Sequence, residues 1–426
     1  MRTSLSRRAV LAGLAALVAA PPRLRADAAP PRVTVISQWS AGSDGAAITA
    51  FGKVFEQHGG VWQHSPVPGF TTEMMNKLRA QILAGDPPAA SQLKGPEIAA
   101  WSQLAPTVDL DKVVAEAGYE KVVPPELAKL HKPFGHWIAL PLQVYRTNTL
   151  FVSKKAMDRV GATKLPASWA EFEALGKAMK AAGITPIANG GVRWDDGMKF
   201  EIALATVSPA AYRAALMDLD AKALRGPEVL AAFGRLRTFA SWMDPAIAAQ
   251  HYSVLMPRFM QGDMGMLMMG GWAQGVFAKA GYQLTDYMVG PMPSDGGKPC
   301  FVLNADAFIF WKRAEPDLTA GQTLMAKLVM QREVQEMYSR VTGSIPVRTD
   351  VDLSGEGWSD GQRETARAQR EAMAAGQVVL SLAHNMAQPN QISAAMIDVL
   401  TEFVHNAAVT PEQGVQQLAA AVDGAR

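Results

Sequence analysis

The sequence predicts an α/β protein of two lobes. Short β runs alternate with helical runs along almost the whole chain. The 426 residues exceed one average domain, and length over ~150 gives two to three units. No flexible linker, short-period repeat or low-complexity tract separates the halves, so the chain is expected to cross between them more than once. With 49% apolar and 19% charged residues, a sizeable core is available and wholesale disorder is excluded.

The first residues read as an export signal rather than as part of the fold. Arg7 and Arg8 form a positive start, Ala9 to Ala20 is an apolar or small run, and Ala26-Asp27-Ala28 is a small-x-small cleavage pattern. The run is twelve residues, too short for the roughly twenty a membrane span needs. Ser6-Arg7-Arg8 also resembles a twin-arginine signal, although Ala9 follows it, so Sec and twin-arginine export both stand. Cleavage after residue 28 takes 41 bases and 39 acids to 36 and 38, a charge of −2 in place of +2. That balance argues against nucleic acid as a partner. Export without an anchor points to the periplasm, with true secretion as the alternative. The single Cys300 allows no intramolecular disulfide and lies far from the cleavage site, so no lipid is attached there.

The elements follow in order. Val33 to Ser37 predicts the first strand, trailed by Trp39 and the polar turn Ser40 to Gly45. A helix is expected to His58, capped by Ser43 or Asp44 and ended by Gly59. A second helix opens near Thr71-Thr72, a strand covers Ala89 to Leu93, and a helix runs through Trp101. This βαβα order predicts a parallel sheet with helices on both faces. Thr149 to Ser153 begins a second α/β region. Ser168-Trp169-Ala170-Glu171 is a capping box, and Ile184 to Ala188 is a strand ending at Asn189-Gly190-Gly191. Further strands are expected at Met264–Met269, Tyr287–Val289 and Val302–Trp311.

Catalytic and metal patterns are missing. No P-loop, dinucleotide fingerprint, nucleophile elbow or His-Glu-x-x-His occurs. The seven histidines read as surface or turn residues, so no metal and no cofactor are expected. Asp195-Asp196 is a weak candidate for a glycosidase pair, since adjacent acids seldom converge. Ten tryptophans outnumber seven tyrosines. Trp39, Trp194 and Trp272 each follow a predicted strand, at the sheet end where open α/β folds bind ligands. An indole face suits the C–H face of a sugar ring while carboxylates and amides satisfy its hydroxyls. The competing reading is that loop tryptophans only fill gaps. Trp101, Trp169 and Trp242 lie in helical stretches and read as core.

Several short stretches, in order and spacing, resemble one known family. They include Gln38-Trp39-Ser40-Ala41-Gly42, Gln92-Leu93-Lys94-Gly95, Tyr145-Arg146-Thr147-Asn148 and Asn189-Gly190-Gly191 with Trp194. Met269-Gly270-Gly271-Trp272-Ala273, Leu303 to Phe308, Gly343 to Arg348 and Ser381-Leu382-Ala383-His384 complete the set. From Val33 to Ala421 the chain resembles the periplasmic solute-binding proteins of ABC importers, family 1, close to the glucose/mannose-binding branch of the maltose-binding-like group. The resemblance implies a two-lobed periplasmic binding protein fold. One lobe is expected from residues 30–145 and 302–345, the other from 146–301 and 346–426, after a signal of 1–29.

It also implies a ligand-binding set. Trp39 and Trp272 would be stacking platforms, Asp44, Gln92, Lys94, Asn304, Asp306 and His384 polar contacts, and Trp194 the cleft edge. Hinges would lie near Leu142–Thr149, Pro299–Leu303 and Pro346–Thr349. The implied role is capture of a sugar, a hexose such as glucose or mannose or a related polyol, by a monomer that delivers it to permease subunits. Relatives carry Glu where this chain has Asp44, Asp where it has Gly271, and Lys where it has Thr342. An exported carbohydrate-active enzyme and a ligand-presenting sensor subunit are the alternatives.

Overall fold

The computed structural model describes residues 29–68, 71–247, 250, 252–295 and 299–426. The expected export signal lies outside them, save Ala29.

Eleven strands are present among the described residues: β1 (Arg32–Ser37), β2 (Val61–Pro66), β3 (Ala90–Leu93), β4 (Ala139–Arg146), β5 (Thr149–Ser153), β6 (Thr185–Ile187), β7 (Met264–Met269), β8 (Tyr287–Pro291), β9 (Phe301–Phe310), β10 (Ile345–Pro346) and β11 (Val378–Leu380). They form two sheets. The larger runs β10-β4-β9-β3-β1-β2, with β11 beside the start of β9; the smaller runs β6-β7-β5-β8. The βαβα order predicted parallel pairing, and β2, β1 and β3 are parallel. The sheet as a whole is mixed, because β9 enters antiparallel between β3 and β4. Its partner β3 lies about 200 residues away in sequence, so local periodicity carries no trace of it.

The larger sheet is covered on both faces. Along β9, Phe308 and Phe310 enter one apolar cluster with Val33, Val35 and Phe51, while Ala307 and Ile309 enter another with Ile36, Leu78 and Trp101. This is the two-residue period of a strand buried on both sides. A third cluster forms around the smaller sheet, where the six residues of β7 are all buried. The two sheets therefore center separate lobes. Val347, Ala366, Ala372 and Val378 belong to the first lobe's core, although the sequence division gave residues 346–426 to the second. Thr349 N–H bonds the Val122 carbonyl inside that first lobe, and the chain passes over only around Val379–Leu382.

Asn148 ties two crossings together. Its Oδ1 accepts from Val302 N–H at 3.1 Å and its Nδ2 donates to the Cys300 carbonyl at 2.8 Å. Ser381 N–H, at the third crossing, bonds the Leu303 carbonyl. Cys300 is buried beside them, and burial pushes its thiol up to about 12.

Candidate functional site

The polar half of the site grows from strands of the first lobe. Gln92 and Lys94 lie at and just past β3, Gln143 on β4, and Asn304 and Asp306 on β9. Asp306 collects three donors: Gln92 Nε2 at 3.0 Å, Gln143 Nε2 at 3.3 Å and Lys94 Nζ at 3.3 Å. Gln92 Oε1 in turn accepts from Gln38 N–H, anchoring the turn after β1. The Asn304 Oδ1 is buried and has no hydrogen-bond partner among the described residues.

Asp44 joins this group from the first turn of the helix Gly42–Gln57. It does not cap that helix, and neither does Ser43; Ala41 holds the cap position without a side-chain bond. Asp44 Oδ1 instead takes the Tyr145 hydroxyl at 3.1 Å. Burial, then the nearby Asp306 charge, raise the Asp44 carboxyl to about 6.

The second lobe supplies an aromatic half. The sequence placed Trp194 and Trp272 in loops; the structure puts them at helix starts. Trp194 is the second residue of Arg193–Val207, and Trp272 immediately precedes Ala273–Lys279. The Trp272 ring lies 5.2 Å from His384 and 6.4 Å from Trp194, with Trp194 and His384 5.8 Å apart. Burial and Lys94 hold His384 well below the usual histidine range, so it is neutral near pH 7. Trp39 is separate from this cluster. Its ring packs into the first core against Phe308 and Tyr338, at 5% exposure.

The lobes touch around the site. Tyr145 of the first lobe meets the Trp272 ring edge-on at 5.2 Å. Glu97 Oε1 accepts from Asn390 N–H at 2.6 Å. A β-carbon built on Gly275 would stand 2.9 Å from Ser43 Cβ and 3.0 Å from the Thr342 carbonyl oxygen. One at Gly271 would stand 3.3 Å from the Gly343 carbonyl, so glycine there permits close approach. Thr342 turns inward to Gln143 Oε1 at 3.0 Å and Ser344 at 2.8 Å. The cavity between Gln38, Gln92, Lys94, Glu97 and Asn385 is about 10 Å³, the room of one water.

Tyr145, Gln143 and Thr342 are residues that residue-by-residue reading left out of the site. Tyr145 lay inside a quoted motif, Tyr145-Arg146-Thr147-Asn148, which is the signal that could have found it. Other polar groups are engaged elsewhere. Asp195 pairs with Lys199, both fully buried, and Asp196 bonds Asn189 and His405, so the two acids do not form a facing pair. Asp109, Asp111 and His136 converge on the surface, a grouping sequence spacing had not indicated, where Asp111 bonds His136 and the Trp137 N–H. His131, expected at the surface, is fully buried with Nδ1 on the Leu127 carbonyl. A cavity of about 220 Å³ on the first lobe is lined by Arg32 and Arg313, whose charges are met by Asp317, Asp86 and Glu315.

Residues 46–365 match the family of bacterial extracellular solute-binding proteins. This chain belongs to that family. A probable sugar-binding periplasmic protein of Rhizobium meliloti (strain 1021) is 35% identical over 401 residues, covering 92% of this chain and 94% of its own. Among solved structures, a chitin oligosaccharide binding protein aligns with a TM-score of 0.77 at 21% identity, over 92% of this chain and 98% of that one. A maltose-bound T. maritima protein gives 0.73 at 15%, over 92% and 99%. At those identities the likeness establishes the fold, maltose-binding-like with two α/β lobes. As a solute-binding family member the protein binds rather than catalyzes. No helix among the described residues is long and apolar enough to cross a membrane.

Proposed function

We propose that this solute-binding protein is the periplasmic receptor of an ABC importer. It captures a sugar, a hexose such as glucose or mannose or a related polyol, and hands it to permease subunits. The observation that carries this reading is the facing of two complementary halves. Trp272, Trp194 and His384 offer aromatic area on one lobe. Asp44, Gln92, Lys94, Asn304 and Asp306 offer hydrogen-bonding groups on the other. The orphaned Asn304 carbonyl oxygen is stabilized by about 1–3 kcal/mol when a ligand hydroxyl donates to it. The similarity to proteins named as probable sugar-binding periplasmic proteins agrees.

In this reading the touching lobes represent the closed form, since Tyr145 meets Trp272 and Glu97 meets the Asn390 N–H across them. Entry requires the lobes to part, and a ligand favors closure only through contacts made better when they meet. Tryptophan fluorescence during titration with a panel of hexoses, polyols and oligosaccharides tests it, alongside mass spectrometry of ligand carried through native purification. A saturable change with one sugar class supports the reading. No fluorescence change, no thermal shift and no co-purified sugar would overturn it.

A further inference from the structure

Behind His384 lies a buried chain of hydrogen bonds that decides which face of the imidazole meets the cleft. Glu201, inside the helix Arg193–Val207, is fully buried. Its Oε2 accepts from the Leu382 N–H at 2.7 Å and the Ala383 N–H at 3.2 Å, and lies 3.0 Å from the Tyr212 hydroxyl, whose one proton also has the Leu380 carbonyl at 2.9 Å. Its Oε1 lies 2.8 Å from the Ser381 hydroxyl and 3.3 Å from that of Thr147, and the Ser381 hydroxyl is also 3.1 Å from Oε2. Ser381 Oγ also lies 2.8 Å from His384 Nδ1.

The direction of each bond follows from counting protons. An ionized carboxylate only accepts, and serine has one proton to give. With that proton committed to Glu201, Ser381 can only accept from His384. The neutral ring then carries its proton on Nδ1, and Nε2 is left with a lone pair. We infer that Glu201 and Ser381 are positioning residues that set the His384 tautomer, so that the ring offers the ligand an acceptor at Nε2. Beside Trp272 and Trp194, that atom selects a ligand group that donates, a hydroxyl or an amine N–H, over an ether or carbonyl at the same place. The selection rests on the sugar-binding reading; the tautomer does not.

Glu201→Gln offers a direct reversal. The two backbone N–H groups on Oε2 keep the amide oxygen there, which puts the amide NH₂ against Ser381. Ser381, nearer the amide nitrogen's place at 2.8 Å than the oxygen's at 3.1 Å, then accepts from Gln and donates to His384 Nδ1 at 2.8 Å, moving the ring proton to Nε2. The experiment is ¹⁵N–¹H correlation of side-chain histidine nitrogens in the full ligand-free protein. It is run at pH 8.5, above the value of about 7 to which burial raises Glu201. His384→Asn assigns the signal. The expected result is Nδ1–H in the native protein and Nε2–H in Glu201→Gln. Ser381→Ala, which keeps the carboxylate and its backbone bonds, is expected to lose the single-tautomer signature and serves if the first variant does not fold. Nε2–H in the native protein, or an unchanged tautomer in either variant, overturns the inference and leaves sugar binding standing. A protein that binds no sugar yet shows these tautomers overturns the functional reading instead.

Discussion

Removing the Asp306 carboxylate should be costly, and the cost should depend on Lys94. The pair is 3.3 Å apart with side chains only 6% and 10% exposed. Breaking a buried pair by deleting one partner costs about 3–5 kcal/mol because the other charge is left uncompensated. Asp306→Ala also strips Gln92 and Gln143 of an acceptor, so about 3 kcal/mol is the floor. In the Lys94→Met background the same substitution strands no charge, and the two effects should fall short of additivity by more than about 1.5 kcal/mol. Urea unfolding of the four proteins at pH 7.5, compared at unchanged m value, measures the coupling. A second readout is Asp44. Its raised value comes first from burial and second from Asp306, so Asp306→Asn should lower it from about 6 while leaving it above the ordinary carboxylate range. A single-mutant cost under 1 kcal/mol, or strict additivity with Lys94→Met, would refute a buried, mutually dependent pair.

Trp272→Ala should weaken sugar binding at least tenfold while leaving the unfolding midpoint within a few degrees, because the ring is only half-buried; calorimetric titration against the native protein decides it. Gly275→Ala should raise helix stability by up to about 1 kcal/mol, as alanine does in a helix, yet weaken ligand affinity, since the new methyl meets Ser43 and Thr342 across the lobes. Gly234→Ala, with nothing within 4 Å, is its control and should not alter affinity. Glu201 has a folded value of about 7, above its ordinary 4.5, so its stability contribution is full below about pH 4.5 and is lost as pH rises through 7. Buried His131 and half-buried His64 and His384 are shifted the opposite way and weaken the fold in acid in both proteins. The native protein should therefore gain roughly 3 kcal/mol over Glu201→Gln between pH 8.5 and 5, read from paired urea curves; a flat difference speaks against a buried, titrating carboxyl.

What the sequence disclosed was local. Runs of β-branched and apolar residues marked β1, and β7 matched at both ends, because a strand buried on both faces leaves a continuous apolar signature. The cap at Gly59 was legible, since φ there is +80° and only glycine takes that freely. The assignment of Asp44 as a helix cap failed because a distant partner, Tyr145, outcompetes the local backbone. Asp306 and Gln92 were reached through resemblance, and their mutual bond spans 214 positions, which no periodicity encodes. Glu201 was invisible altogether. Nothing in its local sequence marks this acid until Ser381, Leu382 and Ala383 arrive from another crossing to surround it.

The side chain of Asn148 has a mechanical meaning. By holding Cys300 and Val302 on the neighboring strand, it welds two covalent connections into a single ribbon. A ribbon of two strands resists shear and bends more easily about its width, so in the proposed closure it would favor rotation of the lobes about one axis. In the proposed lobe closure, that restraint would bring the aromatic and polar halves together in register. Asn148→Ala would release the ribbon into two loose cords and let the halves arrive misaligned.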